Sequence, residues 1–217
     1  MVFSVYQIKS QDTYEWFLKK HYAKRIPPIT FAFGLYEGKT LVGVISYGSP
    51  PSHTLCVGVC GEKNSEKVLE LNRLCLEDNK NNQASFFIAK TLKLLPKPKI
   101  VVSYADTSMN HIGYVYQATN FIYTGLSDKR TEWREKNSNK HSKTISQQVS
   151  LSCRQANLDK YEVVNRPRKH RYIYFCGSKT QRKSLIKDLK YSILPYPKGE
   201  SEKYDSSAEV QKQMVMF

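Results

Sequence analysis

The residues best suited to chemistry lie in one run, Ser103-Tyr104-Ala105-Asp106 followed by Asn110-His111-Ile112-Gly113-Tyr114-Val115-Tyr116-Gln117-Ala118-Thr119-Asn120-Phe121. A carboxylate where an apolar stretch ends, with an imidazole and a phenol on the next turn, matches the place where α/β proteins assemble their sites. Asp106 could accept a proton and Tyr116 could donate one or pack on a flat ring. The same residues also have an ordinary use, Asp106 as a helix cap and Tyr116 as core filling. A second pair, His21-Tyr22, sits among Lys19, Lys20, Lys24 and Arg25. Its imidazole titrates near neutrality and suits a base or a metal ligand; the plainer use is a charged helix end.

Two further segments are suited to anions. Arg73 lies in Leu71-Asn72-Arg73-Leu74-Cys75-Leu76, and Asn81, Asn82 and Ser85 follow before an apolar helical run. Phosphates bind at such helix starts, and Asn and Ser side chains can donate to them, although the glycines that usually let a backbone approach a phosphate are missing. The segment Arg166-Pro167-Arg168-Lys169-His170-Arg171-Tyr172-Ile173-Tyr174-Phe175 interleaves cations with aromatics. Phosphates attract the cations and unstacked bases fit the ring faces, while a solvated edge strand would carry the same residues. For metals the spacing is poor: Cys56-x-x-x-Cys60 has no second pair, and a catalytic ion could only be gathered from distant positions. No Walker loop, Gly-x-Gly-x-x-Gly or Gly-x-Ser-x-Gly is present.

The elements that must position these residues follow from periodicity and punctuation. Residues 2–8 alternate as a strand, and Asp12-Thr13 precedes a helix over 14–18. Residues 29–36 and 40–47 form a hairpin about Glu37-Gly38-Lys39. The Gly, Pro and Ser of 48–66 predict a loop over a site. Strands are expected at 68–76, 99–104, 121–123 and 171–176, with helices at 83–95, 112–120 and 178–188. Residues 131–150 show little apolar periodicity, and 199–217 read as a loosely held tail. The fold class is therefore α/β, a mixed central sheet flanked by helices with a basic C-terminal extension. The expected division is a catalytic domain over 1–177, with a basic insertion at about 127–165, and a basic helix and tail over 178–217.

With 217 residues, 40% of them hydrophobic, the chain is long enough for one ordinary core. It has 34 Lys and Arg against 19 Asp and Glu, a formal charge of +15, which suits a polyanionic partner. Residues 126–190 hold 17 of those cations and 6 of the acids, so a polyanion would bind chiefly there. Five scattered cysteines, Cys56, Cys60, Cys75, Cys153 and Cys176, fit a reducing cytosol better than a disulfide framework. Neither a signal sequence nor an apolar stretch of about 18 residues is seen, so neither export nor membrane insertion is expected.

Taken together, His21-Tyr22, Asn72-Arg73-Leu74, Asn82-x-x-Ser85-x-Phe87-Ile88, Tyr104-Ala105-Asp106, His111-x-Gly113-x-x-Tyr116-Gln117-Ala118-x-Asn120-Phe121 and Lys169-His170-Arg171-Tyr172 resemble the bacteriophage Mom family. The resemblance runs from about residue 15 to 177. It implies a GNAT-like acyltransferase fold, with which the element order agrees. It also implies an enzyme, active in the bacterial host's cytoplasm, that converts adenine in double-stranded DNA to N6-(carbamoylmethyl)adenine and shields phage DNA from restriction. Carried over, the catalytic positions are His21, Tyr22, Arg73, Asp106 and Tyr116. Asn81, Asn82 and Ser85 would hold acetyl-CoA or another activated donor, and Arg166, Arg168, Lys169, His170, Arg171 and Tyr172 would bind DNA, with the target base flipped out of the stack. Attack on a plain acetyl thioester puts a carbonyl on the nitrogen, whereas the family's product has a methylene there, so a bound iron is one way to supply the missing step. An ordinary CoA-dependent N-acetyltransferase acting on a protein or small molecule, or a non-catalytic DNA-binding protein, are the alternatives.

Overall fold

The structure, a computed structural model, describes residues 3–78, 80–138 and 142–199. Its centre is a seven-stranded mixed sheet in the order β1-β2-β3-β4-β5-β9-β6, built from Phe3–Gln7 (β1), Phe31–Glu37 (β2), Thr40–Gly48 (β3), Val68–Leu76 (β4), Lys99–Asp106 (β5), Ile122–Leu126 (β6) and Lys169–Cys176 (β9). A separate pair, Arg130–Glu135 (β7) and Tyr161–Arg166 (β8), forms a two-stranded ribbon. Helices α1 (His53–Cys60), α2 (Gln83–Leu94), α3 (Tyr114–Ala118), α4 (Ser142–Gln148), α5 (Leu151–Ala156) and α6 (Lys179–Lys187) complete the described elements. The mixed α/β class read from the sequence is the one observed. No helix among the described residues is long and apolar enough to cross a membrane, and the five cysteines are free thiols.

Alternation along the strands sorts the core into two layers. In β5, Val101 and Ala105 face the layer with Phe33, Leu35, Ile45, Tyr47, Phe87, Ile88 and Leu92, which packs α2 onto one face. Ile100 and Val102 face the other layer, where Val59 and Cys60 of α1 and Leu185 of α6 meet Ile173 and Phe175. The Tyr47 hydroxyl is buried but satisfied, 2.6 Å from the Thr91 hydroxyl on α2.

Two expectations are overturned here. Residues 48–66, expected as a loop, contain α1 and a 3-10 segment, Glu62–Lys67; Ser52 caps α1 by accepting from the Leu55 N–H. Small apolar residues with little periodicity hid a helix whose Val59 and Cys60 are drawn into the core by tertiary contact. Residues 131–150, given no element, contain β7 and α4. The helix expected over 14–18 is present, within a continuous helical stretch that opens with a 3-10 turn, Ser10–Thr13, and ends in one wide turn, Trp16–Lys20, that buries Trp16 and Phe17.

Beyond α6 the chain runs back across the body. The Lys190 N–H bonds Val59 O, the Leu194 N–H bonds Tyr123 O, the Tyr196 hydroxyl donates to Phe121 O, and Gly199 O accepts from the Tyr114 hydroxyl. The expected tail continues past Gly199 outside the described residues.

Candidate active site

The cleft arises from one topological fact. β4 and β5 are the parallel neighbours of the sheet, and their pairing ends after Val68↔Ile100, Leu69↔Val101 and Glu70↔Val102. Beyond that point β4 stays with β3 as far as Leu76↔Gly43, and β5 stays with β9 as far as Asp106↔Lys169. The two half-sheets therefore separate toward the carboxyl ends of the parallel strands, where open α/β sheets place their ligands. A register shift at Ser46/Tyr47 bulges β4 at Asn72, whose side chain accepts from the Ser46 hydroxyl (2.6 Å) and donates to Pro28 O (2.7 Å). Bulges bend a strand and re-aim its side chains, and the next residue here is Arg73. The Ser103 hydroxyl spans the split by donating to Leu71 O at 3.0 Å.

The resulting cavity of about 530 Å³ is lined by His21, Tyr22, Arg73, Asn81, Asn82, Ser85 and Tyr116, all expected as site residues, together with Lys169. His111 and Tyr104, quoted in the 103–121 run but given no role there, and Tyr114 stand on the same walls, as does Glu70, which sequence reasoning missed. Six rings surround the space, which suits a flat aromatic guest.

His21 is buried, and its Nδ1 accepts from the Ala23 N–H at 3.0 Å, so the ring proton sits on Nε2. Burial, with Arg73 and His111 nearby, holds its pKa down at about 3. At neutral pH it is a neutral hydrogen-bond donor, not a base. Tyr22 stacks on it, centroids 4.4 Å apart, and burial with the Asp106 charge raises its pKa. Arg73 donates through Nη1 to Asn72 O, while its buried Nε has no partner. Burial opposes its charge and Glu70 supports it.

Asp106 is not on the cleft wall. Its carboxylate accepts from the Ser108 N–H and hydroxyl, at 3.1 and 2.7 Å, and pairs with Lys169 at 2.6 Å. Burial pushes its pKa up, but Lys169 and Ser108 outweigh that and hold it below the usual carboxylate range. Glu70 is the opposite case. Its carboxylate makes no hydrogen bond or ion pair with any described residue, and burial raises its pKa against the pull of Arg73 and Lys169. The signal in the sequence was a lone acid inside an apolar strand, Val-Leu-Glu-Leu.

Much of the 103–125 pattern is structural. Asn110 and Asn120 adopt left-handed backbone, and Gly113, at φ +83°, begins α3 against Tyr172, where a Cβ would lie 2.4 Å from the ring. Tyr116, besides facing the cleft, packs on Phe121 and Tyr172, and burial drives its pKa up to about 12.

The expected DNA segment is corrected in two places. β9 lies inside the sheet, between β5 and β6, rather than at its edge, so Arg171 and Tyr172 are buried, 8% and 0% exposed. Arg171 donates from Nε to the Thr124 hydroxyl and from Nη2 to its carbonyl, and lies 3.4 Å over the Tyr191 ring. The Tyr172 hydroxyl donates to Ile112 O. Both side chains are thus engaged within the protein. Arg166 is exposed, Arg168 donates to Ser127 O and Leu126 O, and His170 Nδ1 meets the Tyr123 hydroxyl at 2.8 Å.

At the other wall α2 begins with Asn82 at φ +62°. The first intrahelical bond is Phe86 N–H to Asn82 O, which leaves the N–H groups of Ala84 and Ser85 ahead of it on the cleft. The Ser85 hydroxyl is spent on Asn82 O. For iron, no group of three or more His, Cys, Asp or Glu side chains that could hold a metal occurs among the described residues.

Solved acetyltransferases are similar over about four fifths of the chain. An N-acetyltransferase from Staphylococcus aureus Mu50 covers 81% of this chain and 99% of its own, at 12% identity and TM-score 0.45. A GNAT family acetyltransferase from Bacillus cereus ATCC 10987 covers 81% and 98%, at 11% identity and TM-score 0.42. The methylcarbamoylase mom of Escherichia phage Mu is 31% identical over 191 residues, 82% of this chain and 77% of that protein. Residues 2–198 match the Mom protein family, and on that extent the chain belongs to it.

Proposed function

We propose that this chain is a transferase that attaches a carbamoylmethyl group to the N6 amine of adenine in DNA, inside a bacterial host, so that phage DNA escapes restriction. The observation that carries the reading is an aromatic-walled cleft with an unpaired carboxylate, Glu70, at the fork where the half-sheets part. The 31% identity to a methylcarbamoylase supports it.

A base in a duplex hides its amine in the stack, so the adenine is flipped into the cleft, where Tyr22, Tyr114 and Tyr116 offer faces and edges. The N6 lone pair is delocalised into the ring, and bond formation at nitrogen must release a proton. Glu70 is the acceptor for that proton: it lines the cleft, is unpaired, and its raised pKa makes it a stronger base than an ordinary carboxylate. Asp106, already engaged by Lys169 and Ser108, acts instead by holding Lys169 at the cleft. The His21 Nε2–H and the unpartnered Arg73 Nε–H are donors for negative charge that develops on the transferred group.

The residues at the start of α2 fit an anionic donor such as acetyl-CoA: the Ala84 and Ser85 N–H groups and the Lys80 cation can meet phosphates. Held there by its phosphates, the donor would have its transferable end directed toward the flipped base. A methylene on N6 is not what an acetyl thioester gives directly, so the mass of the product is the informative readout.

The test is to express the chain in bacteria, digest total DNA to nucleosides, and compare mass spectra with a Glu70→Gln control. A new deoxyadenosine species absent from the control supports the reading. Folded protein with no new nucleoside refutes it, and acetyl-CoA turnover without DNA would point to an ordinary acetyltransferase.

A further inference from the structure

The antiparallel chain pair β6/β9 does not stop where the sheet does. Leu126↔His170 is its last register pair; the Ser127 N–H then bonds Lys169 O at 2.8 Å, and the Lys169 N–H bonds the Ser127 hydroxyl at 2.9 Å. Across this junction the same two chains resume as β7 and β8, paired from Arg130↔Arg166 to Glu135↔Tyr161. The result is an arm with its own small core, in which Ile145 and Tyr161 are buried and Arg154 lies 5.5 Å over Trp133. Its foot is at the Asp106↔Lys169 end of the sheet, the end at which β4 and β5 part and the cleft opens.

The foot is built from cations. Lys129, Arg130 and Arg166 are exposed, and Arg168 and Lys169 follow at once. Arg130 and Arg166 are directly opposed across the ribbon, and like charges so placed weaken a strand pair. Glu132 is 3.9 Å from Arg166, and Arg130 has no ion pair among the described residues. Lys169, the first residue of β9, lines the cleft itself. A track of positive charge therefore runs from the cleft onto the arm.

We infer that this arm docks duplex DNA: the foot holds backbone phosphates next to the target base, and the ribbon lies along a groove. The inference rests on the adenine-modifying reading for its choice of DNA. A two-stranded ribbon has the width that the major groove admits, and phosphate contacts fix register without reading sequence. The other basic surface, α6, begins after Cys176, which pairs with Lys99 at the opposite end of the sheet. The eight residues of β9 put it roughly 25 Å from the foot.

The experiment is fluorescence anisotropy of the full chain with an unmodified duplex across a salt series. The foot variant Arg130→Gln/Arg166→Gln is compared with the α6 variant Arg182→Gln/Lys183→Gln, which removes the same charge. The foot variant is expected to bind about 10- to 100-fold more weakly at moderate salt, with the log–log salt slope smaller by about 1.8, while the α6 variant stays within about threefold. Equal losses in both, or no loss at the foot, would overturn the inference. If circular dichroism shows the double variant misfolded, Lys129→Gln/Arg130→Gln carries the same expectation. Because the readout is binding to unmodified DNA, a wild-type chain that binds through the foot yet yields no new nucleoside refutes the adenine reading and leaves the docking surface standing.

Discussion

Replacing His21 by asparagine isolates the electrostatic claim about the cleft. The asparagine side-chain oxygen can take the place of Nδ1 as acceptor for the Ala23 N–H, but it cannot titrate. In wild type the imidazole is held from 6.5 down to about 3. The unfolded chain thus binds the extra proton below about pH 6.5 while the folded chain refuses it until near 3, and stability falls as pH drops through that window. One pKa unit is about 1.4 kcal/mol, so between about pH 7 and about pH 5 this single group removes roughly 2 kcal/mol from wild type and nothing from the variant. Near neutrality the variant should be the less stable protein, by about 1 kcal/mol, because it loses the ring packing against Tyr22 and Phe17. The gap should close and then reverse on acidification. Urea unfolding followed by tryptophan fluorescence at several pH values reads this directly, since carboxylate titration is common to both proteins and cancels. Parallel stability curves would refute the argument: His21 would then titrate as an ordinary imidazole, and its role as a neutral donor would fall with it.

Three further outcomes follow from named contacts. Glu70→Gln should lower modification about 100-fold or more while duplex affinity holds, and the wild-type rate should fall as pH drops through a pKa above the ordinary carboxylate range; an acid limb at the ordinary value would remove Glu70 as the acceptor. Gly113→Ala should cost about 2 kcal/mol or more, seen as a lower Tm, because the alanine needs a positive φ and its methyl meets Tyr172. Arg171→Gln should cost about 3 kcal/mol of stability by breaking buried bonds to Thr124, yet leave the salt slope of DNA binding unchanged; a smaller slope would show that Arg171 meets phosphate after all.

The strands and α2 were legible because alternation and the Pro96 stop are local signals. β4 was read to the residue, and α2 within one. α1 was not, because its small apolar residues owe their helix to packing against Val68 and Ile100. The cleft walls were found where motif and chemistry coincide, at His21, Tyr22, Arg73 and Tyr116. Glu70 carries no motif; only the parting of β4 from β5 makes it exceptional, and register is a long-range fact. Asp106 looked like an acid for catalysis because sequence cannot show that Lys169, sixty-three positions on in the chain, is already bonded to it. In the same way the positive charge of residues 126–190 reads as one block, whereas β9 carries its two halves to opposite ends of the sheet.

Among the described residues, β4 and β5 are joined along their backbones by three register pairs, with the Ser103 bond to Leu71 O just beyond them. On the proposed reading, donor and adenine would enter the same wedge, one against α2 and β4, the other against β5 and α3, so both would bear on one coordinate, the angle between the halves. A guest that sets this angle changes the free energy with which the other binds, and by thermodynamic reciprocity the effect is equal in both directions. Cooperativity between the two substrates is then a property of the fork itself and requires no second site.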